Sequence, residues 1–275
     1  MTTARIFRGD QADVAGSADA AADGLTVRAR DVLSSEWTKL RSVRSTYWAL
    51  IIAAVVSVAG SALAAFPAGK GAPLPDPVAF SFIGWAEYPV LAVGVLGVLT
   101  FTSEYATGQI RTTFTAVPRR LAVLAAKTAV IGALALVFGE LLAVASFSLT
   151  QAILSRQGQG VSLSHPGVPG AVLSAGFVLV VVALTGVALG AAIRHTAGAI
   201  AALPAVFYLP LTLLWLPSPW NHRIDRFTLP VAAYQVVALH PATNLLAPAL
   251  SMLVLIAWPA SALAVAAVLI TRRAA

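Results

Sequence analysis

Long apolar stretches alternate with short polar ones along most of this 275-residue chain. A helix needs roughly 17–25 predominantly apolar residues to cross the hydrocarbon core of a bilayer. Six stretches have about that length and predict membrane-spanning helices: Tyr47–Phe66, Trp85–Thr102, Val123–Thr150, Gly170–Ile193, Ala197–Leu216 and Leu246–Ile270. A seventh, Leu229–Pro241, is too short to span and predicts an outer interfacial or re-entrant helix. The pattern favours an all-α polytopic membrane protein.

Composition supports this interpretation. Apolar residues make up 59% of the chain and charged residues 11%, with a mean hydropathy of +0.85. Soluble domains carry about a quarter charged residues. Residues 1–28 differ from the rest, because Gly9–Gly24 is rich in Ala, Asp and Gly. We therefore expect a disordered tail over 1–28 and one transmembrane domain over 29–275.

The placement of basic residues predicts the orientation. If the N-terminus is cytoplasmic, 14 of the 18 lysines and arginines fall on the cytoplasmic side of six spans. Such a bias is typical of cytoplasmic loops. Both termini are therefore predicted to be cytoplasmic, in a multi-pass protein of the cytoplasmic membrane. The net charge of +7 is explained by topology, so no nucleic-acid partner is expected.

An amphipathic helix is predicted immediately before the first span. Within Ala29–Tyr47, Val32, Leu33, Trp37 and Leu40 follow helical spacing. Basic side chains accompany them, which is typical of a helix lying on the inner leaflet. The residues assigned to this interfacial helix are Glu36, Trp37, Lys39, Arg41 and Arg44. Such a helix is either a topology anchor only or also a contact for a cytoplasmic partner.

The polar segment 102–120, between the second and third spans, is the most patterned hydrophilic part of the chain. Thr102 or Ser103 is a good N-cap, which would place Glu104 in a first helical turn and Arg111 on the same face. Gly108 either allows another surface to approach closely or breaks the helix. From the residues alone, the segment is equally well a capped connector.

Three motifs give the chain a family resemblance. They read S-E-Y-x-x-G-x-x-R followed by P-x-R at 103–120, S-E-W-T-K-L-R-S-V-R-S at 35–45, and R-H-T-A-G-A-I-A at 194–201. In this order, on a six-span layout, the chain resembles permease subunits of ABC transporters of the type 2 exporter class, most closely actinobacterial members. The resemblance covers roughly residues 30–273.

The resemblance implies roles for several residues. A coupling helix would dock onto a separate ATPase through Glu104, Tyr105, Gly108, Arg111, Pro118 and Arg119. A second cytoplasmic contact would comprise Arg194, His195 and Gly198. It further implies a permease homodimer or heterodimer, export of a small molecule or lipid, and ATP with Mg²⁺ bound by the partner ATPase.

The chain lacks the residues of an independent motor or enzyme. No G-x-x-x-x-G-K-[ST] occurs, no cysteine is present, and the four histidines are scattered. We therefore expect no catalytic, cofactor or metal site in this chain. The alternatives are an ion-coupled secondary transporter and, less favoured, a membrane-embedded enzyme.

Glu140 is the one acidic residue deep within a predicted span. An ionisable group there is costly, which makes it a candidate functional residue. It either pairs with a neighbouring hydroxyl or lines a wet cavity, or it carries protons or substrate.

Small residues predict close helix packing in the second and fourth spans. Gly186 and Gly190 form G-x-x-x-G, and Gly94 and Gly97 lie on the second span. Small side chains let helix backbones approach within lipid. The contacts are either within one chain or across a dimer.

Overall fold

The structure, a computed structural model, describes residues 29–68, 72–85, 88–117, 119–210, 212 and 224–272. The tail predicted over 1–28 and Pro118 of the coupling segment lie outside the described residues. Within the described part the chain is helical and contains no β-strand, so the all-α prediction is confirmed there.

Ten α-helices make up the described part, with short 3₁₀ turns at Ile83–Trp85 and Asp225–Phe227. In chain order they are α1 (Ala29–Ser42), α2 (Arg44–Ala68), α3 (Pro77–Phe80), α4 (Tyr88–Ala106), α5 (Gln109–Ala116), α6 (Arg120–Ser155), α7 (Val168–Ile193), α8 (Thr196–Tyr208), α9 (Leu229–Val237) and α10 (Pro248–Arg272).

Five segments of the described chain are long and apolar enough to cross a membrane. They contain α2, α4, α6, α7 and α10, and the second of them runs over Ile83–Ala106. Each coincides with a predicted span, which is the signature of a multi-pass membrane protein. The predicted span Ala197–Leu216 corresponds to α8, which covers only 13 residues, and most of its remainder lies outside the described residues.

Helix α7 lies at the centre of the fold and contacts α4, α6, α8, α9 and α10. Of its 26 residues 15 are buried, and most of these are alanine, valine, glycine or leucine. Because hydrocarbon gives apolar side chains no net reason to associate, close packing of small residues is the main attraction available inside a bilayer. The small-residue composition of α7 therefore explains its central position.

The glycines of α4 and α7 bring the two backbones into direct contact. A Cβ added to Gly186 would overlap the carbonyl oxygen of Gly94, and one added to Gly97 would overlap that of Ala183. A Cβ on Gly190 would lie 2.5 Å from the carbonyl oxygen of Val98. The predicted small-residue contacts therefore occur between helices of one chain.

Buried amide side chains organise the end of the fold at which α6 finishes. The Gln151 amide nitrogen donates to the Pro77 carbonyl at 2.7 Å and to Ser81 Oγ at 3.0 Å, while its oxygen accepts from the Val161 amide at 2.8 Å. Gln235, on α9, likewise exchanges hydrogen bonds with the backbone before α10. The segment Leu229–Pro241 is helical over α9, as its apolar pattern predicts.

We predict that Gly186→Ala destabilises the protein by about 1–3 kcal/mol, because the added methyl group meets backbone that cannot move aside. Gly132→Ala is the matched control. Its Cβ would meet only Leu184 Cδ2 at 3.5 Å, an ordinary contact. Denaturation of the detergent-solubilised protein by sodium dodecyl sulfate, followed by circular dichroism, gives both values. Equal stability of the two variants would contradict the backbone contact.

Candidate functional site

Four helices meet at the end of the fold where α6 begins. The C-terminal turn of α4, the short helix α5 and the first turns of α6 converge there, and α1 packs against α6. Each contributes at least one polar side chain to a common cluster, so this end concentrates the charged groups that the long apolar helices exclude.

The centre of this end is an ion cluster, which we define as Glu36, Lys39, Glu104 and Lys127. Lys127 Nζ lies 2.6 Å from Glu36 Oε2 and 2.7 Å from Glu104 Oε1. Lys39 Nζ lies 2.7 Å from Glu36 Oε1 and 2.8 Å from Glu104 Oε1. The four side chains therefore form a closed ring in which carboxylates and ammonium groups alternate.

The ion cluster is largely withdrawn from solvent. Lys127 is 1% exposed, and Glu36 and Glu104 are 5% and 4% exposed. Burying an ion costs several kcal/mol unless it is paired and hydrogen-bonded. Two ammonium groups match two carboxylates, and the Phe101 ring lies 5.4 Å from Lys127 Nζ. Charge neutrality within the ring is what makes its burial tolerable.

Lys39 is the member of the ring nearest solvent, with its side chain 37% exposed. Burial on its own lowers the pKa of Lys39, but hydrogen bonds and Coulombic attraction from Glu104 and Glu36 outweigh it and raise the pKa. Lys39 therefore stays protonated throughout the physiological range.

The ring ties α1 to the membrane domain. Glu36 and Lys39 are one helical turn apart on α1, Glu104 is in the last turn of α4, and Lys127 is in the second turn of α6. Thr113 Oγ1, from α5, donates to Glu104 Oε2 at 3.2 Å. A displacement of any of these four helices would break an ion pair or a hydrogen bond of the same ring.

The expectation that a helix begins at Thr102 or Ser103 is wrong. Helix α4 continues to Ala106, and Thr102 Oγ1 and Ser103 Oγ donate to the carbonyls of Val98 and Leu99 instead of capping. Hydroxyl side chains inside a helix commonly bond back to the preceding turn in this way.

The helix break occurs at Gly108, whose φ of 72° is in the left-handed region that favours glycine. Glu104 and Arg111 consequently belong to different helices, and the expected common face does not exist. Glu104 is also turned into the ion cluster, so its carboxylate is not on the surface. Of the two readings of Gly108, the break is the one observed.

Helix α5 lies across this end with one apolar face packed on the protein. Ile110 and Phe114, four residues apart, are 3% and 9% exposed. Gln109, Arg111, Thr112, Thr115 and Ala116 are exposed, as is Arg119 at the start of α6. The outer face of α5 is therefore polar and accessible.

The turn between α7 and α8 is adjacent to the end of α4. The Arg194 guanidinium carbon lies 5.2 Å from the centre of the Tyr105 ring, a cation–π contact. His195 caps α8, since its Nδ1 accepts the Gly198 amide at 3.2 Å. Arg194, His195 and Tyr105 are thus brought together, although they belong to two predicted contacts far apart in sequence.

A helix, α1, forms over Ala29–Ser42, but the face it buries differs from the expected apolar face. Val32 and Glu36 face the protein, whereas Leu33 and Trp37 are 38% and 48% exposed. Arg41 and Arg44 are also exposed. The Glu36 carboxylate is buried because it pairs with the buried Lys127 ammonium group. This contact sets the rotation of α1 and leaves the Trp37 indole exposed.

Sequence reasoning missed the ring although one signal for it was present. Lys127 is eight residues inside α6, and a lysine within a membrane helix normally has a partner. The sequence places it within the third predicted span and among the basic residues of the predicted cytoplasmic side. Its acidic partners are 91 and 23 residues away along the chain, so spacing does not reveal them.

Glu140 lies midway along α6 with its carboxyl group against the backbone of Gly176 on α7. Its Oε2 atom is buried and has no hydrogen-bond partner in the described part of the chain. The neighbouring hydroxyl expected from the sequence is therefore not bonded to this oxygen. The described residues also contain no group of three or more histidine, aspartate or glutamate side chains placed to hold a metal ion.

Comparison of the chain with protein-family models and with curated proteins finds no match.

We predict that Lys127→Met destabilises the protein by about 3–5 kcal/mol, because Glu36 and Glu104 would be left with one cation between them. Denaturation by sodium dodecyl sulfate, followed by circular dichroism, measures the effect. Arg111→Met, at an exposed position, is the control and should change stability by about 0.5 kcal/mol or less.

A double variant separates lost charge from lost packing. Lys127→Met combined with Glu104→Gln restores neutrality and should recover part of the lost stability. If the double variant is no more stable than Lys127→Met alone, the charge balance of the ring is not what holds these helices together.

Proposed function

We propose that this chain is the transmembrane permease subunit of an ATP-driven exporter of the type 2 ABC class. The observation that best supports this proposal is helix α5. It is a short helix between two membrane-length helices, anchored by an apolar face and polar on its outer face. The motifs at 35–45, 103–120 and 194–201 are the family resemblance that assigns such a helix to ATPase docking.

The accessible face of α5 supports a contact with a separate protein. Arg111, Thr112 and Thr115 are exposed there, and a Cβ added to Gly108 would have no atom of the chain within 4 Å. Charged and adaptable polar groups around a helix are what a partner groove engages. Arg119 extends the same surface. Glu104 takes no part in this contact, because its role in the proposal is inside the permease.

The ion cluster would convert movement of α5 into movement of the spans. Thr113 links α5 to Glu104, and Glu104 in turn holds Lys127 of α6 and Lys39 of α1. A rigid connection of this kind transmits displacement because the paired charges cannot separate cheaply. Closure of the ATPase would therefore move α1, α4 and α6 as a unit.

The turn at 194–198 would provide the second cytoplasmic contact. His195 and the exposed part of this turn lie beside the end of α4, where Arg194 covers Tyr105. An ATPase resting on α5 would also reach this turn. The proposal further includes six spans, cytoplasmic termini, assembly as a dimer, and ATP with Mg²⁺ bound only by the partner.

An ion-coupled secondary transporter is the second candidate. It is favoured by one observation, the unpartnered Oε2 of Glu140 in the middle of α6. It is weakened by the lack of any other acidic residue in the central part of the predicted spans. A stable complex with an ATPase distinguishes the two candidates.

We predict that Arg111→Glu abolishes retention of a partner ATPase co-expressed with this chain, because reversing an exposed charge at a docking face typically costs 2 kcal/mol or more, about 30-fold in affinity. Co-purification from membranes, followed by ATPase assay, measures it. Membrane levels should be unchanged, since Arg111 makes no contact needed for folding.

The matched control is Arg156→Glu, an exposed arginine that follows the last residue of α6 at the opposite end. It should leave ATPase retention intact. Normal retention in the Arg111→Glu variant and in Arg119→Glu would reject α5 as the docking helix.

The orientation gives a separate prediction, for which the cysteine-free chain is a convenient background. In intact cells, a membrane-impermeant maleimide should label Arg156→Cys and leave Arg111→Cys unlabelled until the membrane is opened. Both side chains are exposed, so burial does not explain a difference. The reverse labelling pattern would invert the proposed topology.

A further inference from the structure

An apolar cavity of about 490 Å³ lies at the end of the fold opposite the ion cluster. This volume is within the range of small-molecule binding sites, roughly 300–1,000 Å³. The cavity is lined by α3, the 3₁₀ turn Ile83–Trp85, the start of α4, residues 175–182 of α7, and parts of α8, α9 and α10. Its walls include Phe82, Trp85, Val178, Phe207 and Tyr234.

Two polar groups in the wall of this cavity are already engaged with the protein. Asp76 is 5% exposed and accepts the amides of Val78, Ala79 and His240. The Trp85 indole nitrogen donates to Ser146 Oγ at 3.0 Å. A ligand in this cavity would therefore meet mainly carbon, and the Asp76 charge does not call for a cationic ligand.

A second cavity of about 430 Å³ has a mixed lining, and we call it the polar cavity because hydroxyl and imidazole groups form part of its walls. Its walls include Ser162, Ser164, His165 and His240, and none of the lining residues is acidic, lysine or arginine. The Ser162 and Ser164 hydroxyls lie 2.8 Å apart, and both histidines are exposed. Hydroxyl and imidazole groups can donate hydrogen bonds to an oxygen-bearing ligand.

The two cavities lie on either side of one contact. Asp76 lines the apolar cavity, His240 lines the polar cavity, and the His240 amide donates to Asp76 Oδ2 at 2.7 Å. Val237 and Leu239 continue the same wall from one cavity to the other. The polar cavity is formed by the loop after α6, so it lies at the surface, and the apolar cavity lies among the helices.

We infer that the two cavities together bind one amphiphile, with an apolar chain among the helices and a hydrogen-bond-accepting head at Ser162, Ser164 and His165. Transfer of the chain from water into a carbon-lined space supplies affinity, and the head fixes the orientation. The amphiphile is either a membrane lipid or a solute taken from water. This site does not depend on the proposed exporter function, since it needs no ATPase.

Photolabelling of the full chain in lipid nanodiscs tests the site. Three diazirine probes are used: a lysophosphatidylcholine added from water, a phosphatidylglycerol built into the disc, and a hexadecane that has no head. Peptide mass spectrometry locates the adducts. We expect saturable labelling of the segments around 79–85, 175–182 and 229–237 by at least one headed probe. The headed probe that gives saturable labelling identifies the source of the ligand: the membrane for phosphatidylglycerol, or water for lysophosphatidylcholine.

Cavity-filling variants provide the decisive comparison. Ala79→Trp and Ala233→Trp place an indole in the apolar cavity and should reduce saturable labelling about tenfold or more, because the chain loses its space. Ala257→Trp, on the exposed face of α10, is the control and should label normally. Size-exclusion elution establishes that each variant is folded. Two cavity-filling variants are made so that the test still stands if one of them does not fold.

The head is tested separately by the double variant Ser164→Ala with His165→Ala, whose side chains are exposed. It should weaken labelling by the headed probe severalfold and leave hexadecane labelling unchanged. Non-saturable labelling by both headed probes, or labelling unaffected in folded Ala79→Trp and Ala233→Trp, would overturn the site. Equal saturable labelling by hexadecane and the headed probes would overturn the amphiphile.

Discussion

The Lys127 ammonium group is the constraint on which this end of the structure depends. Lys127 lies two turns inside a membrane-length helix and is 1% exposed. A lysine in such a position is stable only beside negative charge. Glu36 and Glu104 provide that charge, and Lys39 balances the second carboxylate. The ring joins α1 to α6 and to the last turn of α4, and Thr113 of α5 bonds to the same Glu104 carboxylate.

The apolar pattern was enough to predict most of the membrane helices, because each is an uninterrupted run set off by polar residues. It was less informative where a helix is short or where polar residues belong to the helix itself. Thr102 and Ser103 looked like a helix start, yet their hydroxyls bond within α4, and the break falls at Gly108. Local propensity does not distinguish these outcomes.

The side-chain partners could not be read from the sequence for a different reason. Contacts such as Glu36 to Lys127 and Arg194 to Tyr105 join segments that are brought together only by the packing of α4, α6 and α7. The glycines predicted close packing correctly, but only the structure shows that Gly186 faces Gly94 within one chain. The apolar cavity was unpredictable because ordinary apolar residues form most of its walls.

The separation of Lys127 from its two acidic partners has a consequence for biosynthesis. Glu104 precedes Lys127 by 23 residues and Glu36 precedes it by 91. A nascent chain is made from its N-terminus, so both carboxylates leave the ribosome before their cation. Helices α4 and α6 can neutralise each other as a hairpin during insertion, because Glu104 then pairs with Lys127. Glu36 of α1 already pairs with Lys39 but gains its second cation only after α6 has been made, so the docking of α1 onto α6 must follow the insertion of α6.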